Sequence, residues 1–262
     1  SIEGVKSILD NTTYDNPAQR DPRLNNSPQR KLTLLDALPS MRVTSGTFEF
    51  VQLDGYTNAA AVQVTEGSAK AEASVDTAVQ TANIATIAHW TRASLQILSD
   101  APALQKQIDN LLKYGVQAKL ENELINGVGG SGKISGLLAQ ATVFTPTEIH
   151  AGDMIGEAKT AMESAGWMPS LIVMNPKDWF AIASERADSG GNGQYVLGSP
   201  RDPSSANLWS TPVVTTPSLA LGTALVLDTQ QVSILAREDV TVMASREDGA
   251  NWVTNCVTTL AE

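Results

Sequence analysis

The stretch DAPALQKQIDNLLKYGVQAKLENELING, residues 100–127, carries the clearest helical pattern of the chain. Asp100 suits the N-cap, Pro102 the first turn, and Gly127 the C-terminal end. The apolar residues between them recur at helical spacing: Leu104, Ile108, Leu111, Leu112, Val116, Leu120 and Leu124. At 1.5 Å per residue, such a helix would be roughly 37 Å long, which is typical of a structural spine.

The segment before this helix is predicted to be a long β-hairpin. TFEFVQL, residues 47–53, alternates with a period of two, and VDTAVQTANIATIAHW, residues 75–90, is also strand-like. The stretch TEGSAKAEAS, residues 65–74, forms a small and charged tip. Because the hairpin has too few large apolar residues for a core of its own, and an isolated hairpin is marginal in water, we expect it to lean on neighbours.

The flanking regions complete an α+β pattern. The first 35 or so residues are polar and rich in turn residues, which predicts an arm that is disordered or lies on something else, such as another subunit. GVGGSGKISG, residues 127–136, reads as a flexible link. A helix over residues 153–165, a buried strand over 171–174 and a helix capped by Asn175 follow. Further strands are predicted within residues 208–216, 223–236, 239–245 and 251–262.

Composition excludes several classes of protein. The chain has 262 residues, 42% of them hydrophobic, without an apolar run long enough to cross a membrane. Lys and Arg number 18 against 28 Asp and Glu, so the net charge of −10 disfavours nucleic-acid binding, which depends largely on neutralising phosphates. With one cysteine, Cys256, and two distant histidines, His89 and His150, neither a disulfide framework, a metal site nor a cofactor is expected.

Candidate enzyme motifs have better structural interpretations. GVGGSGK, Gly127–Lys133, fits a phosphate-binding loop formally, but a helix precedes it and Ile134 replaces the required Ser or Thr. His89 has no catalytic partner at a suitable spacing and is predicted to be packed or hydrogen-bonded. Cys256 is predicted to be a buried apolar residue, and no G-x-S-x-G motif is present. A conventional enzyme is therefore not supported.

Three motifs carry a resemblance to a known family: TIAHW at 86–90, MNPKDW at 174–179 and SREDGANWVTN at 245–255. Together with these motifs, the order of the predicted elements along the chain resembles that in the major capsid proteins of tailed bacteriophages of the Hong Kong ninety-seven type. The resemblance implies an N-terminal arm (1–35), an extended hairpin or E-loop with its base (36–92), a peripheral P-domain with the spine helix (93–130), an axial A-domain (131–238) and a return to the P-domain (239–262).

The resemblance also implies a covalent cross-link between subunits. In some members, an E-loop lysine forms an isopeptide bond with a P-domain asparagine of another subunit, assisted by a glutamate from a neighbouring one. These positions fall on Lys70, Asn255 and Glu262. An ammonium cannot attack an amide, but burial favours the neutral amine, and Glu262 can accept its proton. The fixed geometry that accelerates amide attack would exist only in an assembled shell.

The implied function is structural. The resemblance implies an icosahedral virion head assembled in the bacterial cytoplasm from pentamers and hexamers, with a portal, a maturation protease, decoration proteins and packaged double-stranded DNA as partners. No membrane contact is expected. Ser1 fits a processed N-terminus, and family members usually continue beyond the position of Glu262. The alternative is an encapsulin-type bacterial compartment, which shares the fold and lacks the cross-links.

Overall fold

The computed structural model describes residues 28–67, 69–95, 102–187, 193–197 and 206–262, and the side chains of the long helix from Gln105 onward. The helices are α1 (Thr33–Ala37), α2 (Pro102–Asn126), α3 (Leu137–Gln140), α4 (Ala151–Ser164), α5 (Pro176–Ala183) and α6 (Asn251–Thr254). The strands are β1 (Ser40–Arg42), β2 (Thr47–Thr57), β3 (Ser74–Asn83), β4 (His89–Ser94), β5 (Leu171–Met174), β6 (Asn207–Leu208), β7 (Thr211–Thr215), β8 (Ala224–Leu227), β9 (Ile234–Ala236), β10 (Val242–Ser245) and β11 (Cys256–Ala261). The predicted α+β class is confirmed.

The long helix α2 has the predicted extent of 25 residues and contributes to two cores. Leu112 and Val116 pack with Ala261 in one core, whereas Ile125 lies in a second core with Leu34. The predicted N-cap at residue 100 and the side chain at position 104 lie outside the described residues. By joining two cores, the helix acts as the spine that its pattern predicted.

A three-stranded antiparallel sheet, ordered β10-β11-β4, packs one face against α2. Ala261 pairs with His89 at one end of β11, and Cys256 pairs with Ser94 at the other. A Cβ at Gly115 would come within 2.5 Å of the His89 ring, so the glycine lets the ring lie against the helix. We call this unit the spine sheet.

Two strand predictions need correction at this sheet. The strand predicted over 75–90 is two strands, because β3 ends at Asn83 in the hairpin and β4 begins at His89 in the spine sheet. The strand predicted over 251–262 begins instead with the helical turn α6, and β11 starts only at Cys256. Both segments have a strand-like composition. The first bends where its pairing partner changes, and the second bends at a buried polar contact.

The hairpin of β2 and β3 is confirmed as an antiparallel ribbon with a bulge between Leu53 and Gly55. Its base touches the loop after α2, where the Asn83 Nδ2 donates to the carbonyl oxygen of Gly130 at 3.2 Å. Residues 58–73 connect the two strands, and Ser68 lies outside the description. At about 3.4 Å per residue, an 11-residue strand carries the connecting loop some 37 Å from the base.

The second core is built on a four-stranded mixed sheet, ordered β6-β7-β5-β8. The predicted strand β5 is central, buried throughout, and parallel to β7. The predicted helix α5 follows it, with the Asn175 side chain accepting from the Lys177 N–H at 3.0 Å and Pro176 at its first position. Helix α4 runs one to two residues ahead of its predicted bounds.

Two of the remaining predicted strands are each divided into two strands in the structure. Positive φ angles at Trp209 and Ser210 split residues 208–216 into the hairpin β6–β7. Residues 223–236 divide between β8, in the four-stranded sheet, and β9, which pairs in parallel with β1. Strand β10 lies within the predicted stretch 239–245.

The loop after α2 is a closed turn, which corrects the prediction of a flexible link. The Gly129 N–H donates to the Ile134 carbonyl at 3.0 Å, and the Gly136 N–H donates to the Gly127 carbonyl at 2.9 Å. A Cβ at Gly127 would lie 2.4 Å from the Ile134 carbonyl oxygen, so these backbones approach more closely than any other residue would allow. The turn follows a helix, and so the context of a phosphate-binding loop is missing, as predicted.

Candidate functional site

Lys70 lies in the loop at the tip of the hairpin and is exposed. The same loop exposes Val62 and Val64 almost completely, at 88% and 93%. Two exposed valines in the same loop make the tip partly apolar, which water disfavours. The tip therefore has the character of a surface that another protein surface covers.

Asn255 occupies the junction between α6 and β11, where the chain turns sharply. Its backbone is left-handed, with φ 52° and ψ 47°, a conformation that asparagine tolerates better than most residues. Its carbonyl oxygen accepts from the Leu95 N–H at 3.0 Å, which fixes the backbone at the end of β4. The Asn255 side chain is exposed, and its carboxamide bonds to no residue that the structure describes. The backbone of Asn255 is thus held in place, and its carboxamide is left available.

A buried polar chain holds this turn. The Nδ2 of Asn251, a residue only 2% exposed, donates to the Thr258 Oγ1 at 2.7 Å. The Thr258 hydroxyl donates in turn to the Asp248 Oδ2 at 3.0 Å, and the Asn251 N–H donates to the Asp248 carbonyl. Because buried polar groups are costly unless paired, this network fixes the turn in one conformation. Sequence reasoning missed it, although the Asp-Gly-Ala-Asn run is a turn signal.

The surface around Asn255 is apolar on one side and cationic on another. Trp252 and Val253 on α6 are 81% and 86% exposed. Arg92 on β4 donates from Nη2 to the Oγ1 of Thr254, the residue directly before Asn255, at 2.6 Å. These neighbours were not identified from the sequence.

Glu262 is exposed, and its backbone exchanges hydrogen bonds with Thr241 at 2.9 and 3.1 Å. Strand β11 separates it from Asn255, so the two residues are about 23 Å apart at 3.3 Å per residue. Within the described chain, no hydrogen bond or ion pair joins any two of Lys70, Asn255 and Glu262. One subunit therefore presents the three groups separately.

Comparison with known proteins identifies the family. Residues 14–262 match the phage capsid family. The chain belongs to that family. It is 38% identical over 239 residues to the major capsid protein of Enterobacteria phage HK97, covering 89% of this chain and 61% of the HK97 protein, so it spans less than two thirds of that relative's length.

Solved structures share the fold of this phage capsid family member. A chain of Microbacterium phage Oxtober96 superposes with a TM-score of 0.73 at 17% identity, covering 93% of this chain and 86% of that one. A capsid chain of a native GTA particle gives 0.72 at 15% identity, covering 100% and 93%. The family resemblance and the phage capsid fold predicted from the sequence are confirmed. Membership of a family of capsid proteins also agrees with the predicted structural role.

The other features predicted from the sequence have clear positions in the chain. A ring nitrogen of His89, Nε2, lies 2.8 Å from the Leu112 carbonyl oxygen, so the histidine is hydrogen-bonded as predicted. Cys256 is only partly buried and its thiol faces the Thr254 carbonyl, which corrects its prediction as a buried apolar residue. Among the described residues, no cluster suited to a metal ion occurs, and no helix is long and apolar enough to cross a membrane.

A second polar cluster ties the end of the predicted arm to α2 and to the segment that follows β7. Glu121 on α2 is fully buried, and its Oε1 accepts from Arg30 at 3.0 Å and from the Thr216 hydroxyl. Arg30 also donates to the Ser218 hydroxyl at 3.0 Å, and its N–H donates to the Tyr114 hydroxyl. The described part of the arm thus lies on its own subunit, and residues 1–27 lie outside the description.

Proposed function

We propose that the chain is the repeating subunit of the icosahedral head of a tailed double-stranded DNA bacteriophage. The observation that carries this proposal is the coreless hairpin. Val51 and Val79 face each other across the ribbon and are each 67% exposed, with Leu53 on the same face. Phe48 and Phe50 stack on the opposite face, with ring centres 6.3 Å apart. A two-stranded ribbon with apolar side chains on both faces needs neighbouring subunits to cover it.

The assignment of segments of the chain to the parts of a capsid subunit belongs to the same proposal. Residues 1–35 act as the arm, 36–92 as the E-loop and its base, 93–130 with 239–262 as the P-domain, and 131–238 as the A-domain. The spine helix supports this division, because it contributes Leu112 to the core of the spine sheet and Ile125 to the core of the four-stranded sheet.

Particles of the purified chain test this proposal directly. Electron microscopy should show closed shells built from pentamers and hexamers, whereas a monomer at concentrations where relatives assemble would contradict it. The encapsulin-type alternative predicts small shells with protein cargo. The relatives named above favour the phage head, and DNA-filled particles isolated from infected cells would separate the two. The portal, maturation protease, decoration proteins and packaged DNA are the partners expected of such a virion head.

We further propose that Lys70 of one subunit is joined to Asn255 of another. The neutral Nζ of Lys70 attacks Cγ of Asn255, and the new C–N bond forms as the bond to the amide nitrogen breaks. Glu262 of a neighbouring subunit takes a proton from the lysine and returns it to the leaving ammonia. No oxidant, reductant or cofactor enters the balance.

Three observations support the cross-link. The Asn255 carboxamide is exposed and unbonded within the described chain, so nothing has to be broken before attack. Lys70 is at the tip of an arm about 37 Å long, which can reach another subunit. Asn255 is fixed at the end of β4, whereas the base of the hairpin contacts the loop after α2, so the lysine arm and the asparagine start from different parts of one subunit.

Substitution tests the assignment. Asn255→Asp replaces the amide with a carboxylate, which resists attack by an amine, and Lys70→Ala removes the nucleophile. Both variants should assemble and then run as monomers on a denaturing gel, while the parent chain runs as a high-mass ladder. Ladders that persist in either variant would refute this pair of residues.

A further inference from the structure

Arg92 is an exposed cation held beside the proposed acceptor by a specific bond. It lies on β4 opposite Thr258 of β11, but its side chain reaches along the sheet to the hydroxyl of Thr254 at 2.6 Å. Thr254 also donates its hydroxyl to the Ala250 carbonyl at 2.8 Å, so the group that holds Arg92 is itself fixed to α6. The guanidinium is thereby fixed next to the residue that carries the carboxamide.

A fixed cation at this place acts on an approaching lysine. For the bond to form, the Nζ of Lys70 must come into contact with Cγ of Asn255, and therefore into the field of the guanidinium. A like charge disfavours the ammonium and leaves the neutral amine unaffected. Only the neutral amine attacks, so this effect raises the fraction of the lysine that can react and does not stabilise the unreactive ammonium. The effect strengthens when a second subunit covers the site, because screening by water and salt falls.

Two carboxylates near this turn act in the opposite sense, Asp248 of the same subunit and the Glu262 that the proposed reaction brings from a neighbouring subunit, and the charge of Arg92 offsets part of their effect. The Asp248 carboxylate accepts from the hydroxyl of Thr258, the residue that pairs with Arg92 across the sheet. Arg246 and Glu247 lie on the exposed turn before Asp248 and offset each other in charge. Helix α6 carries no charged residue, and the next charge along β11 is Glu262 at its opposite end.

We propose that Arg92 is a positioning residue for the cross-link, which acts through its charge to keep the incoming lysine of a second subunit in its neutral form. This role rests on the proposed Lys70–Asn255 bond. It differs from the role of Glu262, because Arg92 neither accepts nor donates the transferred proton.

The rate of cross-linking in assembled particles as a function of pH tests this role. Particles of the parent chain, Arg92→Ala and Arg92→Lys would be followed by denaturing gel after assembly is complete. Arg92→Ala should slow cross-linking about tenfold at neutral pH and shift the profile by about one pH unit to the alkaline side. Its rate should equal that of the parent at alkaline pH, where lysine is neutral without assistance. Arg92→Lys should retain most of the parent rate.

A matched control removes the same charge elsewhere. Lys119→Gln, on the exposed side of α2, should leave the profile unchanged. A parent chain that forms no cross-link at any pH would refute the proposed bond. A parent chain that cross-links, with Arg92→Ala showing the same profile or an equal slowing at every pH, would overturn the role of Arg92 alone.

Discussion

Asn255 and Glu262 stand at the two ends of one strand, about 23 Å apart at 3.3 Å per residue. Side chains at that separation cannot serve one bond within a single subunit. If both take part in the cross-link, they come from different copies, and the reaction is a property of the assembled shell.

Mixed particles test this geometry. Asn255→Ala particles and Glu262→Gln particles should each cross-link poorly or not at all, because each lacks one required group. Particles co-assembled from both variants should regain cross-linked dimers, since an intact asparagine on one subunit can meet an intact glutamate on another. Denaturing gels of separate and mixed particles measure this. Failure of the mixture to exceed the separate variants would show that both residues must be on one chain.

Trp252 tests the apolar flank of the same site. It is 81% exposed in the subunit, so Trp252→Ala should change the free energy of unfolding by no more than about 0.5 kcal/mol. In the shell, the indole should lie under the arriving hairpin tip, and its loss should slow cross-linking several-fold. Thermal unfolding of the subunit and gel kinetics of the particle separate the two effects. A large loss of subunit stability with normal cross-linking would contradict this assignment.

The ion pair of the half-buried Arg30 with the fully buried Glu121 should contribute most to holding the arm on the subunit. Arg30→Ala leaves a buried carboxylate without its charged partner and should cost about 3–5 kcal/mol in the free energy of unfolding. The double variant Arg30→Met with Glu121→Leu removes both charges and should recover most of that loss.

Denaturant unfolding of the unassembled subunit measures both changes. Arg42→Ala is a suitable control, because the pair of Arg42 with Asp239 is largely exposed and should be worth less than about 1 kcal/mol. A double variant no more stable than Arg30→Ala would show that packing of the arginine, rather than its charge, holds the arm.

The hydrogen bonds that Glu157 accepts predict that the loop of residues 141–149 is sensitive to acid. The Thr147 hydroxyl and N–H both donate to its carboxylate, at 2.7 and 2.8 Å, and lower its pKa below the ordinary 4.5 of a glutamate. A lowered pKa stabilises the folded loop above pH 4.5 and loses that effect as the pH falls through the folded value. The exchange protection of residues 141–149, taken relative to the intrinsic exchange rate at each pH, should therefore fall on acidification below that range. In Glu157→Gln, this protection should already be reduced at neutral pH and should change little with acid.

Regular periodicity made part of this fold predictable from sequence. The spine helix, the buried strand β5 and the Asn175 cap follow from local patterns, and their predicted bounds are close to those observed. The break between β3 and β4 did not follow, because both strands have the same composition and differ only in which strand they pair with. Pairing partners are set by the tertiary structure, which a local pattern does not contain.

The candidate site was less predictable from the sequence than the fold. Family resemblance selected Lys70, Asn255 and Glu262, but nothing in the sequence indicated the left-handed turn or the cation beside it. Arg92 reaches Thr254 across 162 residues of sequence, and Arg30 reaches Glu121 across 91. Such contacts join isolated polar residues and leave no periodic signal.

Mass spectrometry of peptides from mature particles tests the central claim most directly. Digestion should release a branched peptide joining the segment around Lys70 to the segment around Asn255, lighter than the two separate peptides by one ammonia. That peptide should be missing from unassembled subunits and from Lys70→Ala particles. Recovery of only the two linear peptides from mature particles, with lysine and asparagine intact, would contradict the account.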